Sequence, residues 1–275
     1  MKVAVCVLTV FASALAIPIE NIDTFNIKPI DILRAPTYGE IPLVTGSRII
    51  GGTVAPRNSI PYQAALIIND SGFCGGSLIT QTFALTAAHC VDSASQTQVI
   101  LGAHNPLTNE NTQLIERTTE HIVHPAWNRR ILQNDIALVK LSKVRLTDEI
   151  QLVALAPSNA PSYAGNAAIL SGWGRTSDSS NTIASELKRV DLEVITNDMC
   201  RNVFSIIIQP QHICTSGQGV VGACNGDSGG PLTVQNIQVG IVSFGSGTCE
   251  AQAPTAYARV SLFSDWINNN TLTTY

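Results

Sequence analysis

The sequence predicts an all-β protein in two halves, and three observations lead there. Short apolar or alternating runs recur at 62–68, 98–101, 113–123, 136–141, 167–171, 188–195 and 237–244. Clusters of Gly, Pro, Asn and Ser separate them, the pattern of strands joined by turns. A Pro- and Ser-rich break, Ala156–Ser162, is the best linker between the halves. With 20 Gly, 13 Pro and 45% hydrophobic residues, the chain has the turns and the apolar surface for one compact unit or two small ones. Regular short strands of this kind suggest barrels or sandwiches.

From the N-terminus, the first element is a leader. Lys2 precedes the apolar run Val3–Leu15, and Ala14-Leu15-Ala16 is a small-x-small cleavage site, so residues 1–16 read as a secretory signal peptide. No later stretch reaches the roughly 20 apolar residues a spanning helix needs. A soluble, secreted product without membrane association is expected. Residues 17–48 carry Pro18, Pro29, Pro36 and Pro42 and no cysteine, and have the look of a propeptide ending in the flexible Val44-Thr45-Gly46-Ser47-Arg48. At the far end Leu262, Phe263, Trp266 and Ile267 recur at helical spacing with Ser261 placed as a cap, so a helix over about 261–270 closes the chain. The net charge of −4 and the absence of a Lys/Arg run leave no basic surface for nucleic acid.

Cysteine usage agrees with secretion. Cys6 leaves with the leader, and six cysteines remain: Cys74, Cys90, Cys200, Cys214, Cys224 and Cys249. Spacing alone does not choose among their possible pairings. Zinc is disfavoured, because no C-x₂-C pair occurs and secreted cysteines usually oxidise.

The chemistry is carried by residues 224–231, Cys-Asn-Gly-Asp-Ser-Gly-Gly-Pro. A serine among glycines sits where backbone can approach a substrate closely and turn through positive φ. Its hydroxyl is a poor nucleophile without a base, so a histidine and a carboxylate should accompany it. Thr86-Ala87-Ala88-His89-Cys90 and Asn134-Asp135-Ile136-Ala137-Leu138 supply both upstream.

These segments together resemble the trypsin/chymotrypsin family of serine endopeptidases, and the layout is most similar to invertebrate chymotrypsin-like enzymes. The likeness runs from about Ile49 to Ile267. It includes Arg48-Ile49-Ile50-Gly51-Gly52, Cys74-Gly75-Gly76-Ser77-Leu78, Ser171-Gly172-Trp173-Gly174 and Tyr257-Ala258-Arg259-Val260. The resemblance implies a protease domain over 49–275, built of two antiparallel six-stranded β-barrels at about 49–156 and 163–260 with the active site between them. It implies disulfides Cys74–Cys90, Cys200–Cys214 and Cys224–Cys249. Ser228 would attack the scissile carbonyl, His89 would take its proton, and Asp135 would hold the imidazole. The backbone N–H groups of Gly226 and Ser228 would form the oxyanion hole, worth ~3–4 kcal/mol per donor. Ser243 matches a serine that buttresses the aspartate. A trypsin-like protease would cut after Arg48, and the new ammonium of Ile49 would bury itself beside Asp227, since a buried carboxylate needs a cation. With no cysteine to tether it, the propeptide should diffuse away.

By the same resemblance Gly222 forms the base of the primary pocket and Ala223, Gly245 and Thr255 its walls, with Ser243 and Phe244 along the substrate. No acidic residue stands at the base, so Lys and Arg are disfavoured and cleavage after Leu, Met or Phe is expected. Thr255 replaces the more usual glycine and narrows the pocket, which makes an elastase-like preference for small residues the alternative. Glu250 is expected to be solvated rather than turned into the pocket. His104, His121, His124 and His212 read as surface or packing residues, and Asp92 as a loop carboxylate.

No cofactor or metal is expected. Ala103 stands where some relatives place an acidic calcium ligand, and Glu110 and Glu116 are read as solvated loop charges rather than a hard-cation site. Asn69 and Asn269 begin glycosylation sequons, a weak signal. The partners expected are protein and peptide substrates, an activating trypsin-like protease and protein protease inhibitors, with the enzyme a monomer. Two rivals stand beside a digestive endopeptidase. A catalytically silent binding homologue would show a substituted triad, and a cascade activator usually carries extra cysteine-rich domains. This chain shows neither.

Overall fold

The computed structural model describes residues 28–29, 33–34 and 49–272. The leader, Arg48 and the Arg48–Ile49 junction lie outside the described residues, as does most of the segment 17–48.

The strands of the first unit are β2 (Leu33–Arg34), β4 (Gln63–Ile68), β5 (Gly72–Thr80), β6 (Phe83–Thr86), β7 (Thr97–Leu101), β8 (Leu114–Thr118), β9 (His121–Val123) and β10 (Ala137–Lys140). The second holds β1 (Lys28–Pro29), β3 (Thr53–Val54), β11 (Ala154–Leu155), β12 (Ala167–Gly172), β13 (Lys188–Ile195), β14 (His212–Thr215), β15 (Pro231–Val234), β16 (Ile237–Gly245) and β17 (Thr255–Arg259). Among the described residues three α-helices join them: α1 (Ala88–Val91), α2 (Asn197–Phe204) and α3 (Ser264–Thr271).

The first sheet is ordered β8-β7-β4-β5-β6-β10-β9. The run 113–123, expected as one strand, is broken into β8 and β9, and these halves pair with β7 and β10 at opposite ends of the sheet. Counted as one bent strand, it closes a six-stranded ring. In the second unit the path β16-β15-β12-β13-β14-β17 returns to β16, so that barrel closes through its ladder. The expected pair of six-stranded barrels with a short C-terminal helix is therefore the fold. The units are also laced together. β3 pairs with β13 and β11 runs parallel to β16, so strands at both ends of the first half belong to the second barrel.

Alternation explains a strand such as β13, where Val190, Leu192 and Val194 point inward to join Leu170, Ile213 and Leu232. β5 has no such alternation because it is buried along nearly its whole length. Gly76 lets it pack closely, since a Cβ there would lie 2.9 Å from Leu66 Cδ1. The β4–β5 hairpin turns at Asn69 and Asp70, with φ of 50° and 58°, the left-handed pair of a type I′ turn. The side-chain oxygen of Asn69 accepts from the Ser95 and Gln96 amides at 2.9 and 3.2 Å, which ties down the neighbouring loop. The other sequon asparagine, Asn269, lies exposed on α3.

Two helical details differ from expectation. Ser261 does not cap the last helix: residues Val260–Phe263 form a 3₁₀ turn and α3 begins at Ser264 with no side-chain cap. The second is α2, which has a Thr196 N-cap accepting from the Met199 amide at 3.2 Å and Asp198 in its first turn. Phe263 and Ile267 reach back into the core of the first barrel, where the His124 ring meets Phe263 edge-on at 5.4 Å. Among the described residues no helix is long and apolar enough to cross a membrane.

Candidate active site

The site forms where β5, α1 and the loop before β10 in the first barrel meet the 224–230 loop and β16 of the second. His89 lies on the single turn α1 and is 2% exposed, and Asp135 is 1% exposed. His89 Nδ1 and Asp135 Oδ2 are 2.7 Å apart, and the His89 amide donates to Asp135 Oδ1 at 2.9 Å. Ser243 Oγ donates to the same Oδ2 at 2.6 Å. Ser243 reaches it because β16 is bulged there. Val242 faces Tyr257 and Phe244 faces Ala256, which leaves Ser243 unopposed and re-aims its side chain. Burial alone would raise the Asp135 pKa. The His89 charge and the hydrogen bonds from His89 and Ser243 outweigh it and hold the carboxylate below its usual range.

Ser228 is fully buried in the 224–230 loop. Its carbonyl accepts from Gly75 N–H at 2.7 Å, and Gly75 is one residue from Cys74, which is disulfide-bonded to Cys90 beside His89. On its other side Gly229 N–H donates to Val242 O at 2.9 Å, one residue before Ser243. Short bonded paths thus tie Ser228 to both His89 and Asp135. Gly229 must be glycine: its φ is +77°, and a Cβ would fall 2.1 Å from Thr86 Oγ1. Gly226 also takes a positive φ, of 97°. All three expected disulfides form, Cys74–Cys90, Cys200–Cys214 and Cys224–Cys249.

Asp227 is fully buried, with carboxylate oxygens accepting from Gly174 N–H at 2.8 Å and Cys224 N–H at 3.0 Å. A Cβ on Gly172 or Gly174 would lie 2.3 Å from those oxygens, which is why this stretch reads Gly-Trp-Gly. Burial pushes the Asp227 pKa up to about 7, although the two amides pull the other way. Ile49 is buried in the same core cluster as Ala223, and Ile50 bridges to Gly222, whose N–H donates to Ile50 O at 3.3 Å.

Gly222 and Thr255 face one another, with a Cβ on Gly222 falling 3.1 Å from Thr255 Oγ1. Ala223, Phe244 and Gly245 are buried as well. Glu250 is engaged elsewhere, accepting from the Asp178 N–H at 2.9 Å, while Asp178 Oδ1 and Oδ2 accept from the amides of Cys249 and Glu250 at 2.8 and 3.0 Å. A carboxylate oxygen of Asp178 also lies within 4.8 Å of the Cys224 and Cys249 sulfurs. Those sulfurs are bonded to each other, so the group offers no ligand set.

Two side chains, Glu110 and Asp92, differ from expectation, and a third, His212, keeps its expected role. Glu110 is not a solvated charge. It accepts from the His104 and Asn105 amides at 2.6 and 3.1 Å and pairs with Arg57 at 2.9 Å, which organises its loop. Asp92 is more than a loop carboxylate. It holds Arg129 at 2.7 Å and Trp127 Nε1 at 2.8 Å, and Arg129 reaches the His89 carbonyl at 3.3 Å, so the turn bearing His89 is braced from outside. No spacing rule links residues 92, 127 and 129. His212 is buried and neutral: Gln209 N–H donates to Nδ1, which leaves Nε2–H for Leu132 O at 3.0 Å, and burial lowers its pKa. Its ring packs edge-on against Phe244 at 5.4 Å, in keeping with a packing role.

A family model described as Trypsin matches residues 49–267. Brachyurin of Leptuca pugilator is 43% identical over 225 residues, covering 81% of this chain and 98% of that protein. Chymotrypsin of Phaedon cochleariae is 36% identical and covers 98% of each chain. A solved structure titled HL collagenase superposes with a TM-score of 0.75 at 35% identity, covering 82% of this chain and 100% of the other. With His89 bonded to Asp135 and the Ser228 loop bonded to Gly75 and Val242, these likenesses lead to one conclusion: the chain belongs to the trypsin family and is a serine endopeptidase.

Proposed function

We propose that the chain is a secreted digestive endopeptidase, made with a signal peptide at 1–16 and a propeptide at 17–48, and active after a cut following Arg48. Ser228 Oγ attacks the scissile carbonyl while His89 Nε2 takes its proton. The C–N bond then breaks, His89 returns the proton to the leaving amine, and water removes the acyl group by the same steps. Asp135 holds Nδ1–H and so selects the tautomer with a free Nε2. The N–H groups of Gly226 and Ser228 receive the developing oxyanion. What carries this reading is the hydrogen-bonded line from Ser243 through Asp135 to His89 Nδ1, tied through Gly75 and Gly229 to the Ser228 loop.

Activation follows from Asp227. A carboxylate whose burial raises its pKa to about 7 gains from a nearby cation, and the α-ammonium freed at Ile49 would supply it. Substrate choice follows from the uncharged face between Gly222 and Thr255 and from the engagement of Glu250 by Asp178, which together favour Leu, Met or Phe before the cut. The test uses two variants. Arg48→Gln treated with trypsin should remain nearly inactive, and Ser228→Ala cut after Arg48 should lose at least ~10⁴-fold in kcat while keeping its fold. Full activity from either variant would refute the corresponding half of the proposal.

A further inference from the structure

Two strands ahead of Ile49 are seated on the catalytic cleft. Lys28 and Pro29 pair antiparallel with Gly245 and Phe244 of β16, and Leu33 and Arg34 pair antiparallel with Phe73 and Gly72 of β5. Among the described residues both edges are otherwise unpaired on this side. Phe244 pairs with Ala256 on its far side, and Phe73 and Gly72 pair with Ile67 and Ile68 on theirs. An open strand edge of this kind binds an extended chain through its main-chain groups, largely without regard to side chains.

The two edges flank the triad. Phe244 follows Ser243, which is bonded to Asp135, and Phe73 precedes Cys74, which is joined to Cys90 beside His89. Each piece runs antiparallel to the strand it joins, and the two follow one another closely in the sequence. Four residue steps separate Pro29 from Leu33, a reach of at most ~14 Å. The two seated pieces are thus close enough in sequence for one short stretch of chain to occupy both edges.

We propose that Lys28–Pro29 and Leu33–Arg34 are an inhibitory ligand of this chain's own cleft, bound along the path a substrate takes. The proposal rests on reading the residues ahead of Ile49 as a removable propeptide. The sequence joining the two strands is Ile30-Asp31-Ile32, which contains none of the Leu, Met or Phe residues the pocket is proposed to select, so the segment binds without being a good substrate. Four paired residues make a weak ligand. Linked through residues 35–48, whose 15 steps to Ile49 reach up to ~50 Å, the segment acts at an effective concentration on the order of millimolar. Cutting after Arg48 ends that advantage, so the segment dilutes away and the cleft opens.

The experiment adds a synthetic peptide of residues 27–35 to enzyme already cut after Arg48 and freed of the propeptide. Two rates are followed: labelling of Ser228 by a fluorophosphonate, and hydrolysis of a small chromogenic substrate. At about 1 mM the peptide should slow labelling at least twofold and raise the apparent KM with kcat unchanged. The same peptide N-methylated at residues 28, 33 and 34, which keeps the side chains and removes the strand donors, should do neither. Unchanged labelling and KM at several times that concentration would overturn the inference while leaving the protease reading intact, and so would equal inhibition by the methylated peptide. Failure of Ser228 to label in any condition would overturn both.

Discussion

At the scale of single residues, the buried carboxylate of Asp135 matters most. An ionised group in that position is costly unless its oxygens are filled, and here the His89 amide, the His89 ring and the Ser243 hydroxyl fill them. Ser243 touches no reacting atom in the proposed mechanism, so it is a positioning residue. Ser243→Ala should lower kcat roughly tenfold with little change in KM, because a hydrogen bond to a charged group is worth about 1.5–3 kcal/mol and is only partly replaced by water. Steady-state kinetics check this, and an unchanged kcat would mean that Asp135 is held without it. Restoring the hydroxyl as Thr should recover part of the loss. The sequence disclosed His89, Asp135, Ser228 and Ser243 because each sits in a short fixed motif. Asp92 and Arg129 were not legible, since their pairing depends on two loops meeting in space.

At the scale of elements, the proposed activation turns on the loop holding Asp227, whose carboxyl is held protonated by burial. The folded-state pKa of Asp227 lies above the ordinary carboxylate value, so an uncut chain is favoured with this group protonated. That contribution is complete below the unfolded pKa and is lost as pH rises through about 7. Relative to pH 8, the uncut Arg48→Gln chain should therefore be more stable at pH 5 than the same chain carrying Asp227→Asn, which cannot titrate there. Calorimetry at the two pH values decides, and a pH dependence untouched by Asp227→Asn would refute the assignment. Strands with one solvated face, such as β13, are readable from alternation. β5, β14, β15 and β17 are buried on both faces, and β15 even starts with Pro231, so periodicity gives no signal for them. For α2 the signals existed, a Thr196 cap and Asp198 in the first turn, but eight residues carry too little apolar periodicity to outweigh the surrounding strand pattern.

At the scale of the whole molecule, the proposed catalysis by residues from two barrels requires the barrels to hold register. Buried polar pairs do this: Ser77 Oγ of β5 donates to Gln238 Oε1 of β16, and Ser171 Oγ of β12 to Gln63 Oε1 of β4, both at 2.6 Å. Ser171→Ala would leave the Gln63 oxygen buried without that donor, a cost of about 1–3 kcal/mol. At roughly 2–4 °C per kcal/mol for a chain of this size, the melting temperature should fall measurably, and no fall would show that the pair does not hold the interface. The two-barrel architecture was legible only through the family's motifs, since short strands alone fit a sandwich equally well. The lacing of β3 and β11 into the second barrel was not legible, because two-residue strands carry no pattern of their own. The central claim is that this assembly cuts proteins after apolar residues. Its most direct test is kcat/KM for the enzyme cut after Arg48, on matched peptides differing only in the residue before the scissile bond. Burying a Leu- or Phe-sized side chain gains about 1.5–3 kcal/mol, so Leu, Met and Phe should exceed Ala by ten- to hundredfold, with Lys and Arg far below. Thr255→Gly should specifically improve Trp. A series with Arg best would contradict the uncharged pocket at Gly222 and Thr255, and one with Ala best would move the enzyme to an elastase-like class.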